Sequence, residues 1–262
     1  MPATHVLPTF HHSLSGPVDA PCLTFIPGIG NDAEFWAAQA QVMTTHMRVL
    51  RFDPWGHGRS PAPPADCNFA IIRDGTVQLW DELGISSSAV VGLGFGGSMA
   101  LALGLEHPER VTRIAAFCCR SRQPDDRREF WRERSAAAQT IGMNELADKT
   151  VDRWLSADFR ARHPHVDTLL RVMMKNTTLD GYRAYVQAFI EMDFSARFAQ
   201  LRVPTLLVAA EHDHGGGPVT DMQAMAAENP AVTLEVIPGV GHICNHEAPE
   251  YVAELLQRFF TH

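Results

Sequence analysis

The chain has 262 residues, enough for a substantial core, and α/β folds of this size commonly run as a single domain. Its net charge of −8, with both signs spread along the chain, argues against a nucleic-acid surface and for a soluble protein. Five cysteines (Cys22, Cys67, Cys118, Cys119, Cys244) show no CxxC and no regular spacing, which speaks against a zinc site or a disulfide framework and for reduced thiols.

Residues 1–9 have neither a basic start nor an apolar run of signal length, and no run reaches the ~18 residues of a membrane helix. The expectation is a cytoplasmic protein without membrane or nucleic-acid partners, with a homodimer left open. In chain order, residues 5–13 and 22–27 read as strands, the second entering the turn Pro27-Gly28-Ile29-Gly30. A helix over 33–45, a strand over 48–52, the loop Asp53-Pro54-Trp55-Gly56-His57-Gly58-Arg59-Ser60 and a helix over 69–83 follow.

Next comes the stretch Val90-Val91-Gly92-Leu93-Gly94-Phe95-Gly96-Gly97. Extended residues from 88 to 91 run into a small-residue turn, and a helix-forming stretch spans 98–106. This is the frame of the nucleophile elbow, G-x-S-x-G, in which small residues must flank a very tight turn. The central position here is Gly94, so the frame is present and the attacking atom is absent.

After a strand over 111–117 the pattern becomes purely helical, with candidate helices at 127–138, 143–155, 166–175 and 179–192. Alternation then resumes with strands at 204–209 and 232–237, a helix at 219–227, and a last helix carrying Val252, Leu255, Leu256, Phe259 and Phe260 on one face. The expected fold is α/β: a mostly parallel twisted sheet flanked by helices. Residues 1–120 and 197–262 form its core, and 121–196 form an inserted helical cap. Ligands in such sheets bind at the carboxyl ends of the strands, so the loops after Ile26, Phe52 and Val91 should converge.

Asp213 follows one late strand and His242 the next, and elbow, acid, histidine is the chain order of the α/β-hydrolase triad. Singly, a loop Asp or His is an ordinary surface residue. Their order and strand-end placement favour an acid that holds an imidazole in one tautomer, leaving the other nitrogen as base. The Ile29 and Phe95 N–H groups stand where oxyanion donors belong, although Gly28 and Gly30 alone would only mark a strand-to-helix turn.

The chain resembles α/β-hydrolases of the 3-oxoadipate enol-lactonase type over nearly its whole length. The matching pieces are Phe35-Trp36, Val49-Leu50-Arg51-Phe52-Asp53 with Gly56-His57-Gly58, Gly92-x-x-x-Gly96-Gly97, Arg153-Trp154-Leu155-Ser156-Ala157-Asp158-Phe159, His212-Asp213, and Gly241-His242-Ile243 with Glu247. The resemblance implies cofactor-free hydrolysis of a small lactone or carboxylic ester through a serine, with His242 as base and Asp213 orienting it. Two departures stand out: Gly94 at the serine position, and Trp55 where such enzymes often carry arginine.

Ser98 lies one helical turn past the elbow and faces packing neighbours, while Cys118 ends a strand on the site's side but reads as an inert core thiol. A metal held by His212, His214, His242 and His246 is disfavoured, because the triad explains Asp213 and His242 without one, and Gly215 to Gly217 suggest a flexible loop. Gly28, Trp131, Trp154, Met173 and Arg120 are the expected substrate contacts, Arg120 or Arg122 pairing with a substrate carboxylate. Each has a plainer reading as cap core or solvated helix face. Gly94 leaves three functions open: a hydrolase whose serine was replaced, a nucleophile-free enzyme with His242 as base (water attack, lyase or isomerase), or a non-catalytic ligand-binding homologue.

Overall fold

The computed structural model describes residues 6–261. Seven strands form one sheet: β1 (His12–Ser15), β2 (Cys22–Ile26), β3 (Arg48–Phe52), β4 (Ser88–Leu93), β5 (Val111–Phe117), β6 (Thr205–Ala210) and β7 (Val232–Ile237). Their order across the sheet is β1-β3-β2-β4-β5-β6-β7. The β1 and β3 pair is antiparallel, and all later neighbours are parallel.

The sheet is sandwiched, so successive side chains on one strand serve two different cores. Ile26, Leu50, Val90, Ala116 and Leu207 belong to one buried cluster, and Phe25, Val49, Val91, Phe117 and Val208 to the other. On the first face pack α2 (Phe69–Glu82) and α3 (Phe95–Glu106), joined by α8 (Val219–Glu228). On the second pack α1 (Ala37–Met43) and the C-terminal α10 (Pro249–Thr261), with Val252, Leu255 and Leu256 buried as the one-face pattern requires. Each fully buried aliphatic side chain contributes about 1.5–3 kcal/mol, and the central strands β4 and β6 are buried at every residue.

Between β5 and β6 lie α4 (Asp125–Trp154), α5 (Ala157–Arg162), α6 (Pro164–Lys175) and α7 (Leu179–Glu191), followed by a 3-10 turn at Ser195–Gln200. The α4 segment is two arms broken at Gly142, whose φ of 76° and ψ of 167° no helix accommodates. The second arm doubles back on the first, so that Arg134 hydrogen-bonds Thr150 and Arg127 and Arg153 reach the same Phe130 ring. Side-chain caps fix the starts of the shorter helices: Ser156 accepts the Phe159 N–H and Thr178 the Gly181 N–H.

The structure differs from the sequence expectation in several places. The first strand occupies His12–Ser15 rather than 5–13; within that stretch Leu7 exchanges its backbone hydrogen bonds with the Gln78 side chain, and residue 5 lies outside the described residues. The 33–45 helix opens with a 3-10 turn at Ala33–Trp36. α3 begins at Phe95, three residues early, because Gly96 and Gly97 are helical despite their low propensity: side chains there would strike the backbone at Ile26 and Phe117. The short α5 and α9 (Cys244–Glu247) were not anticipated. Among the described residues no helix is long and apolar enough to cross a membrane.

Candidate active site

β4 ends in a turn so tight that a Cβ on Gly92 would overlap the Gly96 carbonyl. Gly94 occupies the apex with φ 59° and ψ −117°, a conformation that costs most side-chain-bearing residues about 1–3 kcal/mol. It is held there at both ends, its N–H donating to the Phe117 carbonyl at 2.9 Å and its carbonyl accepting from the Ser98 N–H at 3.0 Å. A Cβ built at Gly94 would lie 3.3 Å from His242 Nε2, and among the described residues, its two chain neighbours aside, only that imidazole comes within 4 Å of it. The apex is thus open space facing a ring nitrogen.

His242 enters from the loop after β7, and its Nδ1 lies 2.9 Å from Asp213 Oδ2. Asp213, from the loop after β6, is buried and is wrapped by backbone: Oδ1 accepts from the Gly215 and Gly216 N–H groups, and Oδ2 from that of Gly217. The glycine run therefore corrects the expectation of a flexible loop. A side chain on Gly216 would overlap His242, and one on Gly217 the Cys119 backbone, so only glycines let the chain close this tightly on the carboxylate. Burial alone would raise the Asp213 pKa, but the His242 charge and the backbone donors outweigh it and hold the carboxyl well below its ordinary range. Burial likewise opposes protonation of His242, yet the Asp213 charge and hydrogen bond prevail and shift the imidazole upward.

Ile29 and Phe95 both border the pocket beside Gly94. Phe95 is the first residue of α3, where backbone N–H groups have no carbonyl one turn back, and the helix dipole adds positive potential. The turn carrying Ile29 is pinned by His57, whose Nε2 accepts the Gly30 N–H at 3.0 Å while Nδ1 lies 2.9 Å from the Trp55 carbonyl. Those two partners assign the proton to Nδ1. Trp55 itself packs at 4.5 Å against Phe10 and donates its indole N–H to the Pro8 carbonyl, so its departure from arginine serves the core.

The cavity above Gly94 has a volume of about 290 Å³. Gly28, Trp131 and Trp154 line it together with Ile29, Gly94, Phe95, Asp213 and His242. Two expected contacts do not. Arg120 turns away: its guanidinium bonds Asp221 at 2.9 Å and the Gly215 and Gly216 carbonyls, bracing the loop that holds Asp213. Met173 is buried in the second core cluster, on the apolar face that α6 presents with Val166 and Leu170. Arg122 is exposed, its backbone forming an isolated antiparallel β-bridge with that of Asp193.

Sequence reasoning missed Asn31, Arg127 and Arg153 on the pocket wall. Asn31 was visible as the residue closing the Gly28 turn, and its buried Oδ1 has no partner. Of the alternative nucleophiles, Ser98 is buried and donates to the Arg120 carbonyl at 2.7 Å. The Cys118 thiol lies behind the His242 and Asp213 pair, with donor atoms of all three within 4.8 Å of one another. The neighbouring Cys244 thiol and burial push Cys118 well above the ordinary thiol pKa, which keeps it protonated. His212, His214 and His246 do not join that group among the described residues.

The sequence profile of the alpha/beta hydrolase family matches residues 25–255. The chain is 25% identical over 251 residues to 3-oxoadipate enol-lactonase 1 of Acinetobacter baylyi, spanning 96% of this chain and 92% of that protein. It is 26% identical over 263 residues to the uncharacterized carboxylesterase nap of Bacillus subtilis, spanning 96% and 83%. Among solved structures, the enol-lactonase from Burkholderia xenovorans LB400 superposes with a TM-score of 0.91 at 28% identity, covering 97% of this chain and 96% of that one.

Proposed function

Because this chain belongs to the alpha/beta hydrolase family, a family of enzymes with lactonase and esterase relatives here, we propose that it hydrolyses a small lactone or carboxylic ester using water as the nucleophile. The observation that carries the reading is the open apex at Gly94 facing His242 Nε2, with Asp213 on the other ring nitrogen. Residues 121–196 act as the cap that shelters this step.

In the proposed reaction a water in the apex space gives its proton to His242 Nε2 as its oxygen bonds to the substrate carbonyl carbon. The negative charge that develops on the carbonyl oxygen is met by the Ile29 and Phe95 N–H groups. Asp213 steadies the imidazolium without taking its proton. The tetrahedral intermediate collapses with cleavage of the acyl carbon–oxygen bond, and the imidazolium returns its proton to the leaving oxygen. A carboxylic acid and an alcohol or enol result, and the histidine is again neutral.

One observation favours a close relative of this scheme. The apex keeps the strained φ/ψ of a serine-bearing elbow although glycine does not require it. A serine at position 94 would therefore convert the site to acyl transfer without rebuilding it. The test is turnover of a panel of lactones and short-chain acyl esters by the native protein, His242→Ala and Gly94→Ser. Native turnover lost in His242→Ala supports water attack. Saturable binding without consumption, unchanged by restoring serine, would make the protein a binding homologue instead.

A further inference from the structure

Behind the His242 ring lies a group of donor atoms that hydrolysis does not use together. The Cys118 thiol, the Asp213 carboxylate and His242 each bring one donor atom, and the three atoms lie within 4.8 Å of one another. Asp213 and His242 border the pocket, so the group is reached from there, whereas Cys118 is fully buried behind them. Cys118 is also held against its own backbone preference: its φ of 46° makes it the one non-glycine residue with positive φ among the described residues. A side-chain-bearing residue keeps such a conformation only where its surroundings fix it. Here the Cys118 N–H donates to the Val208 carbonyl at 2.8 Å, and the Gly217 backbone closes on the Cys118 carbonyl from the side of the Asp213 loop.

Thiol sulfur, imidazole nitrogen and carboxylate oxygen together are a zinc ligand set, and zinc bonds of about 2.0–2.3 Å set neighbouring ligand atoms roughly 3.3–3.7 Å apart. The three donors are already gathered on that scale, and the 2.9 Å between His242 Nδ1 and Asp213 Oδ2 has to widen only slightly to admit an ion. Charge fits as well. Asp213 is an anion in the fold, steadied by three backbone N–H donors, and with a Cys118 thiolate it would neutralise a dication, as burial demands. The neighbouring Cys244 thiol is available as a fourth ligand. Magnesium, which takes oxygen ligands and keeps its waters, does not suit a sulfur and nitrogen set.

We propose that Cys118, Asp213 and His242 form an inhibitory zinc site that switches off the catalytic base from behind. On binding, the ion bonds to Cys118 Sγ, His242 Nδ1 and an Asp213 oxygen. The thiol proton leaves to solvent, and the ring proton passes from Nδ1 to Nε2, because a neutral imidazole that ligates through one nitrogen carries its hydrogen on the other. The nitrogen that faces Gly94 then has no lone pair with which to take a proton. The shut-off rests on the hydrolytic reading above, and the binding of zinc does not.

The experiment compares the full-length, chelator-treated native protein with Cys118→Ser and His242→Gln, each checked by thermal melting. Calorimetry with zinc chloride is expected to show one ion bound by the native protein, with affinity lowered more than about tenfold in either variant. Cobalt in place of zinc is expected to give a sulfur-to-metal charge-transfer band that Cys118→Ser lacks. Hydrolysis of a short-chain acyl ester by the native protein is expected to fall more than about tenfold at saturating zinc, to return with EDTA and to ignore magnesium. Cys118→Ser should hydrolyse at close to the native rate and resist the same zinc concentration. If Cys118→Ser unfolds, His242→Gln carries the binding comparison, since its change lies at the pocket side of the group. No zinc bound by the native protein, equal affinity in native and variants, or a cobalt spectrum without the sulfur band would overturn the site, the second result assigning zinc to other surface groups. Cys118-dependent zinc binding by a protein that hydrolyses no ester would sink the hydrolytic reading and leave the site standing; ester hydrolysis indifferent to zinc would do the reverse.

Discussion

The buried His57 ring accepts the Gly30 amide hydrogen at 3.0 Å and thereby ties the loop after β3 to the turn that presents Ile29. That acceptor role requires a neutral ring. Burial pushes the His57 pKa down to about 4 against ~6.5 in an unfolded chain, so the unfolded state binds the extra proton between those values. Stability is therefore lost as pH falls from ~6.5 to about 4, and burial lowers His246 to about 4 with the same sign. In His57→Gln the dependence of unfolding free energy on pH should flatten by about one proton, read from urea titrations at several pH values. An unchanged slope would remove His57 as the titrating group.

Restoring a side chain at the elbow should trade stability for rate. Gly94→Ser places a Cβ in a backbone region with φ 59° and close to His242 Nε2, and is expected to cost about 1–3 kcal/mol in stability. It should raise ester hydrolysis at least about a hundredfold, since the base and its acid partner are in place. A melting curve and kcat/KM on one acyl ester check both; a stabilised or catalytically unchanged variant contradicts the placement of the apex.

The His242 and Asp213 pair sets the pH profile. The base must be neutral to accept a proton, and its pKa is shifted upward, so kcat/KM should climb with pH along a limb above the ordinary histidine value of ~6.5. Asp213→Asn should move that limb down and lower the rate on the order of a thousandfold or more. The pair also contributes to stability: the raised His242 does so fully below ~6.5 and loses it as pH rises through its folded value. The depressed Asp213 contributes above ~3.9 and loses it as pH falls toward its own. A limb at or below ~6.5 in the native protein would show that the two groups are not coupled in solution.

Arg120 belongs to the support of this pair. Its removal in Arg120→Met frees the Gly215 and Gly216 carbonyls, and the N–H groups of the same residues cradle Asp213. The expected results are a loss of about 1–3 kcal/mol in stability and a downward shift of the pH limb, which a merely structural role would leave in place. Arg120→Lys should not restore the limb, because a single ammonium cannot bridge both carbonyls and Asp221.

The sheet and the elbow were legible because their signals are local: short apolar strands, small residues at 92, 96 and 97, and an acid and a histidine each following a strand. The two arms of α4 were legible as separate helices on either side of Gly142. Which arginine faces the pocket was not, since Arg120 and Arg127 differ only in direction, and Arg153 reaches the same ring through a reversal that pattern alone does not orient. Met173 was misplaced for a related reason: one residue along α6 decides between the second core cluster and the neighbourhood of Gly30, where Met174 sits. The run Gly215 to Gly217 reads as looseness in sequence and serves as a close-fitting cradle in the fold, because the carboxylate that organises it is a tertiary neighbour.

The most direct measurement is hydrolysis of a lactone and an acyl ester by the native protein and by His242→Ala in parallel, with mass spectrometry of the protein during turnover. The expected result is native hydrolysis without any acylated protein, and loss of activity on the order of a thousandfold in His242→Ala. Equal rates for the two proteins, or an acyl group found on a cysteine or serine of the native chain, would contradict water activated by His242 at the Gly94 apex.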